Sequence, residues 1–234
     1  MGTTDPIAQV GCGGCAVILA GGQSSRMGRE KALLEAGGKT LLQRLARTLE
    51  SRFDPIYVSV RFSGPSVELS EALRALTDAI DCELSIVPDL REDEGPLAGV
   101  EAALARLAAG GSTLQEPSRA FFIPVDVPAV SADLLGALWK EASREGRSGC
   151  VPRWSRGLEP TYAVYSTELL SEVRRRLDSG SAAIRDLAEL SRVHVLDLED
   201  AATARKVFGV ATPDLAEIFR NLNRPEDYER WAKE

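Results

Sequence analysis

The segment LAGGQSSRMGREK, residues 19–31, places glycines, hydroxyls and three cationic side chains directly after an apolar run. Glycines lack side-chain bulk, so backbone amides in this segment can approach a ligand closely. Arg26, Arg29 and Lys31 add positive charge within the same short span. The combination predicts an anion-binding loop, and phosphate is the anion that suits it best.

Two common phosphate-binding motifs do not explain this segment. A Walker loop needs four residues between its glycines and then Lys-Ser or Lys-Thr, whereas five residues separate Gly22 from Gly28 and Arg29 follows. The segment GCGGCA, residues 11–16, fits the dinucleotide fingerprint GxGxxA. It precedes the first predicted strand instead of following it, so we interpret that match as chance.

Strand-like and helix-like segments alternate along the rest of the chain. Thr40 and Gln43 form a predicted capping box at the start of the first helix. The alternation predicts a single three-layer α/β/α sandwich, Rossmann-like, with a mostly parallel sheet. Such sheets bind ligands beyond the carboxyl ends of their strands, where residues 19–31 would lie. Strands are predicted at 16–20, 55–60, 82–87, 120–125, 149–152, 161–166 and 192–198, and further helices at 66–79, 96–109, 131–145, 167–179 and 181–190.

The glycine-rich segment resembles the nucleotidyltransferase signature LAGGxSxRMGxxK, in particular that of the molybdenum cofactor guanylyltransferase family. Further segments that resemble this family are EGPLAGV at 94–100, PVDVP at 124–128, FRNLNRPEDY at 219–228, EPTYAVY at 159–165 and LDSGSAAIRDL at 177–187. The family pattern has Asp, Cys and Thr where this chain has Glu30, Val125 and Arg224. The resemblance begins at Ala16, so we expect an N-terminal extension over 1–15 and a nucleotidyltransferase domain over 16–234.

The resemblance implies transfer of GMP from GTP to molybdopterin or the molybdenum cofactor, with release of pyrophosphate. Arg26, Lys31 and Asp126 are the implied catalytic residues, and Asp126 is the implied ligand of Mg²⁺. Asn221 and Asn223 are expected on the side of the second substrate. The implied nucleotide-binding residues are Leu19, Ala20, Gly21, Gly22, Ser24, Arg26, Lys31, Asp89, Gly99 and Asp126. Ser59 stands where the family has an asparagine beside the nucleotide.

The reaction needs little acid–base chemistry from the protein. The attacking group is a phosphate monoester, whose second pKa of about 6 leaves it largely deprotonated at neutral pH. Catalysis then depends on positioning and on neutralising charge. Two alternatives stay open: a related transferase that uses CTP on the molybdenum cofactor or a nucleotide on a sugar or alcohol phosphate, and a non-catalytic nucleotide-binding regulator.

Composition limits the remaining classes of function. A net charge of -7 argues against a general nucleic-acid binder. No apolar run is long enough for a membrane span and no signal core follows the N-terminus, so we expect a cytoplasmic protein with no membrane partner. Molybdoenzymes or their chaperones are the candidate recipients of the product. We interpret the Cys12–Cys15 pair as a turn and strand start, and His194 as a strand residue.

Overall fold

A computed structural model of the chain describes residues 14–21, 31–36, 38–79, 82–110, 118–210, 213–223 and 225–231. These residues form an eight-stranded mixed sheet covered by helices on both faces. The strands are β1 (Cys15–Leu19), β2 (Glu35–Ala36), β3 (Lys39–Thr40), β4 (Ile56–Val60), β5 (Leu84–Pro88), β6 (Arg119–Pro124), β7 (Gly149–Trp154), β8 (Gly157–Leu158), β9 (Ala163–Ser166) and β10 (Val193–Asp197). The helices are α1 (Leu41–Glu50), α2 (Val67–Thr77), α3 (Pro96–Ala109), α4 (Ala132–Ala142), α5 (Leu170–Asp178), α6 (Ala201–Phe208), α7 (Leu215–Ile218) and α8 (Pro225–Trp231).

The large sheet has the strand order β10-β7-β9-β6-β1-β4-β5, and β8 pairs with β7 at its end. Strand β1 is parallel to both of its neighbours, β4 and β6, and β5 is parallel to β4. Strand β9 lies between β6 and β7 and runs antiparallel to both of them. The strands β6 and β7 therefore point in the same direction on either side of it. The small strands β2 and β3 form a separate two-stranded sheet.

Two apolar cores lie on opposite faces of the sheet, which gives the predicted three layers. Strand β1 alternates between them: Ala16 and Ile18 face one core, and Val17 and Leu19 face the other. Helices α1, α2 and α4 cover the first face, and α3 and α5 cover the second. Both faces of β1 are therefore buried, as expected for a central strand between helical layers.

The fold class predicted from the sequence is confirmed. The Thr40 hydroxyl accepts from the backbone of Gln43 and the Gln43 side chain accepts from Thr40, which completes the capping box. The prediction for 181–190 is only partly right, because Ile184–Glu189 is a 3₁₀-helix and not an α-helix. Ile184 and Leu187, three residues apart, both pack into the second core, a spacing that a 3₁₀-helix aligns on one side.

The cysteine and histidine residues take structural positions. Cys15 begins β1 and is buried, and burial raises the pKa of its thiol to about 12. Cys12 lies outside the described residues. His194 belongs to β10, as predicted. None of the helices formed by the described residues has the length and apolar character that crossing a membrane requires.

Candidate active site

A cleft opens at the carboxyl edge of the sheet. Strands β1, β4, β5 and β6 are mutually parallel and end side by side there. The chain passes from β1 to β4 on one side of β1 and returns to β6 on the other side, which makes this edge a topological switch point. The cleft has a volume of about 750 Å³, within the range of small-molecule sites.

Three polar side chains from distant parts of the sequence meet in this region. Lys31 stands at the start of a short 3₁₀-helix, Lys31–Leu33, and Asp126 follows β6. The Lys31 Nζ atom lies 2.6 Å from Asp126 Oδ2 and 2.7 Å from Asn223 Oδ1. The Lys31 and Asp126 side chains are only 22% and 15% exposed, so their charges interact with limited solvent screening. Both line the cleft, so a cationic and an anionic side chain face the same space.

The C-terminal segment is hydrogen-bonded to Asp126, the second residue after β6. The Leu222 backbone amide donates to the Asp126 carbonyl at 2.9 Å, and the Leu222 side chain is fully buried. The residues on either side of Leu222 are Asn221, which lines the cleft, and Asn223, which binds Lys31. One buried leucine therefore presents two amide side chains on the cleft side of the segment.

The opposite end of the cleft is built around Asp89, which follows β5. Burial raises the pKa of the Asp89 carboxyl to about 6, while the Ser59 hydroxyl, which donates to it at 2.8 Å, acts in the opposite direction. A Cβ atom at Gly99 would lie 2.6 Å from Ser59 Oγ and 2.9 Å from Leu19 Cδ2. Glycine at position 99 therefore lets α3 approach the strand ends closely enough to form this wall.

Comparison with known proteins identifies the family and the fold. A family model described as the MobA-like NTP transferase domain matches residues 16–195. A relative from Opitutus terrae, named a probable molybdenum cofactor guanylyltransferase, is 36% identical over 91% of this chain and 92% of its own length. This chain belongs to the molybdenum cofactor guanylyltransferase family. The family and the reaction class, nucleotidyl transfer, are therefore confirmed as the sequence predicted them.

Solved structures agree with the fold assigned to this family member. Molybdopterin-guanine dinucleotide biosynthesis protein A from Archaeoglobus fulgidus matches with a TM-score of 0.69 and 23% identity, over 94% of this chain and 97% of that one. A Mycobacterium tuberculosis protein solved as a complex with manganese matches with a TM-score of 0.58 and 19% identity, over 95% of this chain and 98% of that one. NTP transferases of this kind typically use a divalent metal ion.

The structure gathers most of the residues that the family signature singled out. Asn223 reaches the site through Lys31. Gly22, Ser24 and Arg26 lie outside the described residues, as do Arg224 and the first thirteen residues of the expected extension. The predicted residues that line the cleft are Leu19, Ala20, Gly21, Lys31, Asp89, Gly99, Asp126 and Asn221.

Sequence reasoning missed other residues that line the cleft of this guanylyltransferase family member. Arg61 follows β4, and Arg91 lies just beyond β5. Both positions follow a parallel strand at its carboxyl end, which is the signal that could have found them. Thr161, from the EPTYAVY segment, lies in the wall formed by the second half of the chain. Its segment resembles the family, but nothing in the sequence points to that residue within it.

Proposed function

We propose that this protein transfers GMP from GTP to the terminal phosphate of molybdopterin or the molybdenum cofactor, which yields the guanine dinucleotide cofactor and pyrophosphate. The observation that carries the proposal is the shared cleft, in which Lys31 and Asp126 lie at one end and Asp89 at the other. One end has the charges for a triphosphate and a cation, and the other has a carboxylate for a base. The membership in the guanylyltransferase family gives the same substrates.

The residues at the phosphate end fit a divalent cation. Asp126 offers a partly buried carboxylate beside Lys31 on the cleft wall. The described part of the chain contains no cluster of three or more metal-ligating side chains, so a cation held only by protein is not expected in it. Mg²⁺ needs no such cluster, because it typically uses one or two carboxylates together with phosphate oxygens and water. When bound, Mg²⁺ would neutralise phosphate charge and withdraw electron density from the reacting phosphorus.

Lys31 and the glycine loop supply the protein's share of this stabilisation. We assign the Lys31 ammonium, which lines the cleft, to a phosphate oxygen, and Gly21 to close approach of the backbone to the nucleotide. We assign Arg26 to the triphosphate as well, from its place in the signature. The attacking phosphate is deprotonated at neutral pH, so no side chain has to remove a proton. Charge developing on the transferred group is then balanced by these fixed cations and donors.

Asp89 supports guanine as the base. A carboxylate has two acceptor oxygens in one plane and can pair with two adjacent donors. The N1–H and N2–H groups of guanine form such a pair, whereas the corresponding edge of cytosine presents an exocyclic amine beside two acceptors. The partly buried setting of Asp89 strengthens this discrimination, since setting the acceptor atoms of a base against a carboxylate there is costly. Asn221 and Asn223, at the other end, are assigned to the acceptor cofactor.

The decisive experiment supplies the protein with GTP, CTP or ATP, together with MgCl₂ and molybdopterin with or without molybdate. Pyrophosphate release and the mass of the dinucleotide product are measured for each combination. We expect pyrophosphate release and a guanine dinucleotide product with GTP, and neither of them with CTP or ATP. A cytosine dinucleotide would replace GTP by CTP in the proposal. A parallel series supplies a sugar phosphate or an alcohol phosphate instead of molybdopterin, and product formed only in that series would replace the acceptor.

A second measurement separates an enzyme from a binding protein. GTP is added in a thermal unfolding assay under the same conditions as the turnover assay. Stabilisation by GTP without any pyrophosphate release in the presence of cofactor would refute catalysis and favour a regulator. The cytoplasmic location, the domain boundary at 16 and the recipients of the product stay predictions.

A further inference from the structure

The loop between β5 and α3, residues 89–95, forms one wall of the cleft. Arg91 in this loop binds carboxylates on two different helices. Its Nε atom lies 2.9 Å from Glu101 Oε2 on α3, and its Nη2 atom lies 2.7 Å from Asp178 Oδ1 at the end of α5. A second contact, from Nη2 to Glu101 Oε1 at 3.4 Å, makes the pair with Glu101 bidentate.

Glu101 is an unusual residue for the middle of a helix that packs on the sheet. Its side chain is only 4% exposed, in a stretch of α3 whose other positions are mostly alanine, leucine and valine. A buried carboxylate needs cationic partners, because it has lost its hydration. Arg174 of α5 supplies one of them, with Nε at 3.3 Å from Glu101 Oε1, and Arg91 supplies the other. Of the two arginines, Arg91 is the one that also lines the cleft.

The loop that Arg91 belongs to makes two sharp bends before α3 begins. Asp93 and Gly95 both have positive φ angles, 56° and 63°. The first is unfavourable for a residue with a side chain, so surrounding contacts must hold it. Helix α3 then starts at Pro96 with Gly95 as N-cap, and no side chain caps the helix. The contacts of Arg91 lie between Asp89 and these two bends, in the middle of the loop.

We propose that Arg91 is a positioning residue, which with Glu101 holds loop 89–95 in the form that accepts the nucleotide. Asp89, at the start of the loop, is then aligned before GTP arrives, and binding does not have to order the loop. The inference rests on the proposed function for the identity of the nucleotide. In this inference Glu101 affects how tightly GTP binds, through Arg91, whereas the chemical step depends on Lys31 and Asp126.

The variants Arg91→Ala and Arg174→Ala provide a matched comparison. Each removes one arginine from Glu101, but only the first releases the loop. We expect Arg91→Ala to raise the KM for GTP about tenfold and to keep kcat within about twofold of wild type. The reason is that GTP binding must then order loop 89–95, which costs binding free energy. Arg174→Ala should leave both constants within about twofold of wild type. Equal effects of the two variants on KM would show that the network only joins α3 to α5.

The variant Glu101→Gln separates positioning from direct contact with the nucleotide. If Arg91 acts through its fixed position, weakening its partner raises the KM as well. If Arg91 acts by touching GTP itself, Glu101→Gln leaves the KM unchanged or lowers it, and the proposal is overturned. The conservative Arg91→Lys variant should recover part of the lost affinity, since an ammonium can still reach one oxygen of Glu101.

Amide hydrogen exchange of the ligand-free protein tests the loop without any turnover. Exchange across 89–95 should be faster in Arg91→Ala than in wild type and unchanged in Arg174→Ala. Unchanged exchange in Arg91→Ala would overturn the inference. An inactive wild-type protein that still shows the exchange difference would count against the proposed function, and the loop-positioning role would stand.

Discussion

Replacing Asp89 by asparagine should make the protein more stable and less active. The change keeps the shape of the side chain and an oxygen that can accept from the Ser59 hydroxyl, which lies 2.8 Å from the carboxylate. It removes a charge that burial disfavours. The cost of that charge can be read from the Asp89 pKa, which burial raises from 3.8 to about 6.

The magnitude follows from proton linkage. At about 1.4 kcal/mol per unit of pKa, the difference between 3.8 and about 6 corresponds to at most about 3 kcal/mol. Asp89 keeps partial contact with solvent in the cleft, and screening reduces this to about 1–2 kcal/mol. The folded protein holds the Asp89 proton up to pH 6 or so, whereas the unfolded chain releases it near pH 4. The contribution of Asp89 to the stability of the wild type therefore falls as pH rises through this window.

Urea unfolding of wild type and Asp89→Asn at pH 4.5 and 7.5 measures this effect. The free energy of unfolding of the variant should exceed that of wild type by about 1–2 kcal/mol at pH 7.5, and by about a third of that at pH 4.5. The KM for GTP should rise in the same variant. Ser59→Ala is the matched control, since loss of the hydroxyl donor should lower stability at pH 7.5. An Asp89→Asn variant that is less stable than wild type at pH 7.5 would refute the reasoning.

Four further predictions address the rest of the site. Lys31→Ala should slow pyrophosphate release about a hundredfold or more, the scale of a lost electrostatic donor, and normal turnover would contradict the assignment. EDTA should abolish release and added MgCl₂ should restore it, and release that persists after EDTA treatment would remove the cation from the proposal. Gly99→Ala should lower the free energy of unfolding in urea by about 1–3 kcal/mol, because its Cβ meets Ser59 and Leu19 at sub-contact distances; an unchanged urea midpoint would mean that the wall yields. Leu222→Ala should cost about 2–5 kcal/mol of stability and raise the KM for the acceptor cofactor, whereas loss of stability alone would separate the segment from substrate binding.

The convergence of Lys31 and Asp126 could be predicted because it follows from topology. Each lies beyond the carboxyl end of a strand, and parallel strands end at the same edge of a sheet. The family resemblance placed Asn223 on the side of the second substrate, and its contact with Lys31 was not predicted. The two residues are 192 positions apart, and the docking of the C-terminal segment depends on the burial of Leu222 and not on any local pattern.

The direction of β9 was within reach of the sequence but was not predicted. Only residues 155–162 connect β7 to β9, and β8 lies among them. A parallel crossover needs a dozen or more residues, so this spacing requires an antiparallel pair.

The Arg91–Glu101 pair had a weaker signal in the sequence. A glutamate among apolar positions of a predicted helix indicates a buried carboxylate, but its partner becomes visible only when the β5–α3 loop is placed over α3.

The ion pair of Lys31 and Asp126 connects the stability of the cleft to its proposed chemistry. The Lys31 side chain is 22% exposed and that of Asp126 is 15% exposed, so either charge without the other would be costly for the folded protein. As a pair, the two charges compensate each other. In the proposed reaction each takes a new partner, a phosphate oxygen for Lys31 and a divalent cation for Asp126. The exchange preserves the balance of charge, because the incoming nucleotide and its cation carry both signs. A site organised in this way can keep its catalytic charges partly buried, and therefore effective, without leaving either of them unpaired in the folded protein.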